Sequence, residues 1–521
     1  MPVPAGRTVH APNGMVCSVD HLASESGVAI LRAGGSAADA AIAASAVLAV
    51  TTQHMCGMGG DLIALVHDGP GAPAALAAAG RAGSGADAAA LRLEGHRAIP
   101  SFGDVRAATV PGCVDGWLAL HERFGRAPLA DVLAPAVAYA RDGFPASPLL
   151  ARSAPLVVDL PGADDYRVHG GLRAGDRVRR PRVAAILSDV ATGDRDAFYR
   201  GAFGDGLIEL GGGLYVLDDL AEPLAEWVEP IHLTAWRHEL WTVPPPSQGY
   251  LTLAAAWIAD GFDLPTDPDD PRWPHLLAEA ARQAGYDRPA VLHETADGQA
   301  LLHPDRLLPR RAAIDPAVRG SVGSPSAGGE TIYLCAVDAA GMAVSLIQSN
   351  AAGWGCHLVV PGTGVFLHNR GIGFSLEAGH PAELAPGRRP PHTLAPALVT
   401  RDGVLHAVLG TMGGDTQPQV VLQLLARLLH AAQSPGTTIR SPRWALGTGG
   451  FDVWEQHDPA TTIEWDAPPS WERGLADRGH RVERAPRGAN LGHAHVIVRA
   501  SDGMLAGASD PRALSGAASG W

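Results

Sequence analysis

The feature that most constrains the fold is an abrupt change of pattern at residue 331. Residues 320–329 are almost entirely Gly, Ser, Pro and Ala without hydrophobic periodicity, which predicts an exposed and flexible loop. Directly after it, the apolar runs 331–338 and 342–349 flank Ala-Ala-Gly, the pattern of a β-hairpin. The pattern therefore predicts a flexible loop, ending in Glu330, immediately before a strand that opens with Thr331.

The remaining patterns alternate between helices and antiparallel strands. Helical spacing covers residues 21–33 and 36–50, an apolar strand follows at 61–68, and residues 110–290 are expected to be mainly helical. Two further hairpins are predicted at 397–409 and 496–508, and an amphipathic helix is predicted at 417–432. Strand-rich and helix-rich stretches together favour helices packed on both faces of sheets.

Composition and charge exclude several classes of function. The net charge is −14 and no basic run resembles a nucleic-acid footprint, so no nucleic-acid partner is expected. The sequence contains no lysine, which rules out Schiff-base chemistry, a Walker A loop and a Ser–Lys dyad. No apolar run approaches the roughly 18 residues of a membrane span and no signal-peptide pattern opens the chain, so the cytoplasm is the expected location.

The sequence gives little support for a metal site or for disulfide bonds. The five cysteines are dispersed without a paired motif, which favours reduced thiols. His493 and His495 have the spacing of metal ligands, but alternate residues of a strand commonly carry polar groups on one face. No metal and no cofactor is expected.

Thr331 is the strongest candidate nucleophile. Its hydroxyl can attack the preceding carbonyl, convert the Glu330–Thr331 amide into an ester and, after hydrolysis, leave Thr331 with a free α-amine. That amine has an unperturbed pKa near ~8 and can accept the hydroxyl proton near neutral pH. A threonine that merely opens a strand is the structural alternative.

Six motifs, in the same order along the chain, resemble the γ-glutamyltranspeptidase family of N-terminal-nucleophile hydrolases. They are residues 15–25 (MVCSVDHLASE), 34–41 (GGSAADAA), 57–60 (GMGG), 244–247 (PPPS), 413–414 (GG) and 507–512 (GASDPR). The resemblance implies an α/β fold of the four-layer αββα sandwich type, with residues 1–521 as one domain. It also implies self-cleavage into a large chain, 1–330, and a small chain, 331–521, which stay together as a heterodimer, with a dimer of heterodimers left open.

The resemblance also assigns roles to individual residues. Thr331 matches the nucleophile, and Ser349 matches the hydroxyl that positions it. Gly413 and Gly414 match the backbone donors of an oxyanion hole, a task that suits residues without a Cβ. Arg81 matches the arginine that binds the substrate's α-carboxylate through its planar fork.

Departures from the family pattern bear on the substrate. At the position of the acidic residue that holds an ammonium group in glutathione-cleaving members, this chain has Gly373. At the position of a family asparagine it has Ala351, which follows Asn350. A glutamine position reads Arg370. A buried ammonium without its partner costs roughly 2–5 kcal/mol, so this pocket favours an acid without an amine.

Two adjacent serines of the family read His392 and Thr393, which completes the predicted substrate-binding set of Arg81, Asn350, Arg370, His392 and Thr393. The alternative is that Arg370 and His392 point away and that other residues bind an ammonium group.

Motifs at 345–349, 361–364, 369–371 and 384–390 resemble the branch that contains oxamate amidohydrolase. The short connection 376–387 leaves little material for a lid, which favours hydrolysis over transfer.

The leading hypothesis is therefore an autoprocessed amidohydrolase acting on a small acidic amide. The alternatives are a γ-glutamyltransferase or glutathione hydrolase, a biosynthetic hydrolase of an amide or carbon–carbon bond, and a non-catalytic binding protein that remains a single chain.

Overall fold

The hairpin that follows residue 331 forms the centre of a seven-stranded antiparallel sheet. In the computed structural model, which describes residues 7–320, 331–447, 459–488 and 491–521, strand Ile332–Val337 pairs with strand Ala343–Ser349. This first sheet has the order Ala517–Gly520, Met15–Ser18, Ile332–Val337, Ala343–Ser349, Asp61–His67, Ala74–Ala78 and Ala225–Val228. It is built from both the N-terminal and the C-terminal parts of the chain.

A second seven-stranded antiparallel sheet contains the other two predicted hairpins. Its order is Val9–Ala11, Leu505–Ser509, Ala494–Arg499, Val404–Thr411, Ala397–Arg401, His238–Thr242 and Ile231–Ala235. Smaller sheets join Trp444–Leu446 to Thr461–Glu464 and Val482–Ala485, and Phe144–Pro145 to Arg177–Val178. The hairpins lie where the alternation of apolar residues predicted them.

Three hydrophobic cores define the layers. The core between the sheets contains side chains from both, among them Ile63, Tyr333 and Ile347 from the first and Leu398 and Val408 from the second. A larger core lies between the first sheet and its helices, and another lies between the second sheet and its helices. The predicted four-layer αββα sandwich is confirmed.

Two groups of helices form the outer layers. The helices on the first sheet are His21–Arg32, Ala37–Thr51, Ala88–Leu93, Cys113–Phe124, Leu129–Asp142, Pro148–Ser153, Pro181–Thr192, Arg195–Tyr199, Ala202–Gly211 and Leu217–Ala221. Those on the second are Tyr250–Asp260, Arg272–Gly285, Arg288–Val291, Gly298–Leu301, Pro304–Ala312, Gln417–Leu425, Pro435–Arg440 and Pro469–Asp477. Among the helices of the described ranges, none has the length and apolar character needed to cross a bilayer.

The helix Ala37–Thr51 shows why an alanine-rich sequence suits this architecture. All of its residues are buried, and its small side chains allow a close approach to neighbouring elements. Ser36 Oγ accepts from the Asp39 backbone N–H, and the Asp39 carboxylate accepts from the Ser36 backbone N–H, which completes a capping box.

Two of the predicted elements need correction. Residues 225–242, expected to belong to a mainly helical region, form strands that extend both sheets. Ala225–Val228 pairs with the distant strand Ala74–Ala78, and the local hairpin of Ile231–Ala235 and His238–Thr242 pairs with Ala397–Arg401. The helix predicted at 417–432 ends as an α-helix at Leu425 and continues as a π-helical segment, Ala426–His430.

The motif at residues 57–60 allows a loop to lie directly against the central hairpin. A Cβ on Gly60 would lie 2.3 Å from the carbonyl oxygen of Ser349, and one on Gly59 would lie 2.1 Å from that of Phe366. Only glycine fits at such distances. This contact places Asp61, the next residue, at the end of the hairpin, opposite Ser349.

Candidate active site

The antiparallel register brings Thr331 and Ser349 together. Ile332 pairs with Gln348, so the residues that flank this pair, Thr331 and Ser349, lie opposite each other at the open end of the hairpin. Their hydroxyl oxygens are 2.9 Å apart, and both side chains are buried. Glu330 and residues 321–329 lie outside the described residues, so the predicted cleavage site is described on the Thr331 side alone.

Arg370 lies beside this pair of hydroxyl groups. Its Nη2 donates to Ser349 Oγ over 3.2 Å and its Nη1 donates to Thr393 Oγ1 over 3.0 Å. The side chain is buried, and burial lowers the pKa of Arg370 to about 10, against the opposing effect of Asp61 and Asp415. Arg370 thus remains a cation at neutral pH, two hydrogen bonds from Thr331 Oγ1.

Asp61 supplies a buried negative charge to the same site. Its Oδ1 accepts hydrogen bonds from the backbone N–H groups of Gly80, over 3.0 Å, and Gly112, over 3.2 Å. Its Oδ2 lies 3.1 Å from His392 Nε2 and 3.3 Å from His368 Nδ1. Burial opposes ionisation of this carboxyl group, yet the two histidines hold its pKa well below the usual range.

His392 is directed at Asp61 and is held through both ring nitrogens. Its Nδ1 accepts from the Leu394 N–H over 3.3 Å, so Nε2 carries the proton that is donated to Asp61. Burial, reinforced by the charge of Arg370, lowers the pKa of His392 to about 4. Because His392 is neutral and both of its ring nitrogens have hydrogen-bond partners, it is poorly placed to bind an anion. Of the predicted binding residues in this cluster, Arg370 and Thr393 are better placed to do so.

Gly413 and Gly414 follow the second-sheet strand Val404–Thr411 and have φ values of +132° and +56°. The Gly413 carbonyl accepts from Thr416 Oγ1 over 2.7 Å. Gln248 Nε2 donates to the Gly414 carbonyl over 2.9 Å and to the Thr393 carbonyl over 3.1 Å, and so links this turn to the Arg370 partner.

The predicted binding residues Arg81 and Asn350 have hydrogen-bond partners of their own. The Arg81 guanidinium pairs with Glu294 over 2.7 Å and with Glu226 over 3.1 Å. The Asn350 Nδ2 donates to the Gln53 carbonyl over 3.1 Å, which fixes the turn after Ser349.

Sequence reasoning missed Asp61, His368 and Gln248. Asp61 carried a usable signal, because a carboxylate opens an otherwise apolar strand directly after a glycine motif. Gln248 directly follows the motif at residues 244–247, which was used only for the resemblance, and His368 carried no signal. Their roles depend on contacts between segments far apart in the chain.

One buried cluster outside this site has metal-ligating side chains. His275 Nδ1 lies 2.8 Å from His480 Nε2, and the other ring nitrogens face the Asp315 carbonyl over 2.9 Å and Thr461 Oγ1 over 3.1 Å. Glu279, the third member, is paired with Arg282 over 3.3 Å. Hydrogen bonds engage every imidazole nitrogen of the cluster and a guanidinium faces its carboxylate, which describes a structural network better than a cation site.

Comparison with known proteins identifies the family of the chain. The sequence profile of the Gamma-glutamyltranspeptidase family matches residues 23–520. The chain is 37% identical over 529 residues to an oxamate amidohydrolase proenzyme of Klebsiella pneumoniae, covering 98% of each protein. It is 34% identical over 523 residues to the glutathione hydrolase-like YwrD proenzyme of Bacillus subtilis, covering 97% of this chain and 98% of that one.

Among solved structures, the fold is similar to a cephalosporin acylase from Bacillus halodurans, with a TM-score of 0.91 and 32% identity over 100% of this chain and 98% of that one. These similarities confirm the predicted family, its oxamate amidohydrolase-like branch and the prediction that the protein is an enzyme. The chain belongs to the γ-glutamyltranspeptidase family.

Proposed function

We propose that this protein is an autoprocessed threonine amidohydrolase that hydrolyses a small acidic amide. The observation that carries the proposal is the contact series from Thr331 Oγ1 to Ser349 Oγ to the Arg370 guanidinium. It combines a candidate nucleophile with a buried cation that can bind a carboxylate.

Processing uses the same hydroxyl as catalysis. Thr331 Oγ1 attacks the carbonyl carbon of Glu330, the carbon–nitrogen bond breaks, and the acyl group moves to oxygen as an ester while nitrogen takes the proton. Water then hydrolyses the ester and releases the carboxyl group of Glu330. The products are a large chain, 1–330, and a small chain, 331–521, that begins with Thr331 and remains in the heterodimer.

In turnover, the free amine of Thr331 accepts the proton of its own hydroxyl as Oγ1 attacks the amide carbon. Backbone N–H groups of Gly413 and Gly414 stabilise the oxyanion. The proton passes to the leaving nitrogen, and the carbon–nitrogen bond breaks. Water, activated by the same amine, then attacks the ester and releases the acid.

The position of Arg370 favours a carboxylate close to the scissile carbonyl. In oxamate the carboxylate is bonded directly to the amide carbonyl carbon, and the relative from Klebsiella pneumoniae is named for that compound. A guanidinium binds such a carboxylate in a bidentate manner. Arg370, two hydrogen bonds from the nucleophile, suits this short separation better than the longer separation in a γ-glutamyl group.

The test combines chain processing with substrate choice. The purified protein should show two chains in intact-mass spectra, the smaller beginning at Thr331, and should release ammonia from oxamate faster than glutamate from a γ-glutamyl anilide. Thr331→Ala should remain one chain without activity. Thr438→Ala, at a buried threonine of the helix Pro435–Arg440, serves as the matched control and should be processed normally.

Two chains from Thr331→Ala would overturn the proposed nucleophile. Faster hydrolysis of the γ-glutamyl anilide would instead favour the glutathione hydrolase alternative, and a single inactive chain from the unaltered protein would favour a binding protein.

A further inference from the structure

Arg81 and Arg389 are joined to two glutamates in a closed ring of ion pairs and hydrogen bonds. Glu226 binds Arg81 through Oε1, over 3.1 Å, and Arg389 Nη1 through Oε2, over 2.7 Å. Glu294 binds Arg81 through Oε1, over 2.7 Å, and the Arg389 backbone N–H through Oε2, over 3.0 Å. We call these four residues the rim clamp. All four carboxylate oxygens of the two glutamates are engaged in it.

The rim clamp joins two of the segments that supply hydrogen-bond donors to Asp61. Gly80, which donates to Asp61, directly precedes Arg81, and His392, which also donates to Asp61, follows three residues after Arg389. Arg81 is 34% exposed, whereas Arg370 is buried. The chain therefore holds one buried cation near the nucleophile and another, closer to solvent, at the edge of the same site.

We propose that Glu226 and Glu294 are specificity-determining residues that occupy Arg81 and so restrict the enzyme to acids short enough to bind at Arg370. The inference rests on the proposed function, because it assigns the substrate carboxylate to Arg370. It adds a reason why longer acids are poor ligands of the same site.

The reason is charge compensation at Arg81. A longer acid, whose carboxylate reaches outward from the scissile carbonyl, meets an arginine that already binds two carboxylates and the Gly387 carbonyl. It must displace a glutamate and tolerate the repulsion of the other. A short acid bypasses this region, because its carboxylate stays close to Thr331 and meets Arg370.

The experiment measures ligand binding without turnover. Oxalate represents the short acid and glutarate the long one, and each is titrated by calorimetry into the processed protein and its variants. Glu226→Gln/Glu294→Gln removes both charges but keeps amide oxygens that can accept from Arg389. Adding Arg81→Ala removes the cation itself.

Glu383→Gln is the matched control, because Glu383 pairs with Arg92 over 2.7 Å at exposures of 25% and 34%, close to those of Glu294 and Arg81. It should leave both dissociation constants unchanged. Thermal unfolding identifies any variant with a damaged fold. If the double variant is damaged, the single variant Glu294→Gln is used in its place.

We expect the double glutamine variant to bind glutarate at least about fivefold more tightly than the unaltered protein, with oxalate affinity changed by less than about twofold. The gain should vanish when Arg81→Ala is added. Unchanged glutarate affinity in the double variant, or loss of oxalate binding in Arg81→Ala alone, would overturn the inference. Failure of the proposed function would be seen in different measurements: Thr331→Ala would retain activity, or the unaltered protein would not hydrolyse the amide.

Discussion

Ser349 and Asp61 occupy the last rung of the antiparallel pair between strands Ala343–Ser349 and Asp61–His67. Residues directly opposite each other in such a pair point to the same face of the sheet. One rung therefore presents both the hydroxyl that contacts Thr331 and the carboxylate whose charge favours the ionised form of Arg370. Ser349 on this rung links the candidate nucleophile Thr331 to the Arg370 guanidinium, which we propose binds the substrate carboxylate.

Replacing Arg370 with Ala should lower kcat/KM for an acidic amide by at least about 100-fold, because a buried carboxylate would lose its charged partner. Arg370→Lys should recover little, since an ammonium cannot reproduce the two contacts to Ser349 and Thr393. Steady-state kinetics with oxamate measures the effect. A neutral amide of similar size is the internal control, and an equal loss with both substrates would indicate a role other than binding a carboxylate.

Ser349→Ala should slow both chain processing and turnover by about 10- to 100-fold, because the Thr331 hydroxyl loses the partner that orients it. Ser349→Thr should restore most of the rate of both steps, since it keeps the hydroxyl. A time course of precursor conversion, followed by kcat of the processed protein, checks both steps. Equal rates for the Ala and Thr variants would contradict a positioning role for the hydroxyl.

Gly413→Ala should reduce kcat by about 10²-fold or more, because a residue with a Cβ disfavours φ = +132° and would turn the backbone donors away from the oxyanion. Gly379→Ala is the control for backbone strain, since Gly379 has φ = +79° and a Cβ there would meet open space. Kinetics and thermal unfolding are measured together. Equal losses of kcat in the two variants would count against an oxyanion role.

The free energy of unfolding should fall as pH drops from about 6.5 to about 4, partly because of His392. Burial lowers the pKa of this side chain from 6.5 to about 4 in the folded protein, so the unfolded chain binds more protons throughout that interval. Its contribution is limited to a slope of about 1.4 kcal/mol per pH unit. Urea unfolding of the single-chain variant Thr331→Ala at several pH values gives the slope.

His392→Gln in the same background should reduce that slope while leaving the decline caused by other buried histidines. The slope is compared rather than the stability itself, because the substitution also removes a hydrogen bond to Asp61. An unchanged slope would mean that His392 has an ordinary pKa in the folded protein.

Local patterns in the sequence determined much of the fold. The hairpin after residue 331 and the helices His21–Arg32 and Ala37–Thr51 were predictable because each depends on neighbouring residues and on a regular apolar period. The strand Ala225–Val228 was not predictable, because this short and partly polar segment is stabilised by pairing with a strand far away in the sequence, as Ala75 pairs with Val228.

The candidate site divides in the same way. The sequence by itself determined the hairpin that follows Thr331 and carries Ser349, and the paired glycines at 413–414, because chemistry and backbone conformation are encoded in those segments. Only the tertiary structure decided that Arg81 is held by two glutamates, that Asp61 faces His392, and that Arg370 reaches Ser349. These side chains come from segments far apart in the chain and become partners only when folding brings them close. Electrostatic pairing depends on the distance between charges, and the order of residues does not specify that distance.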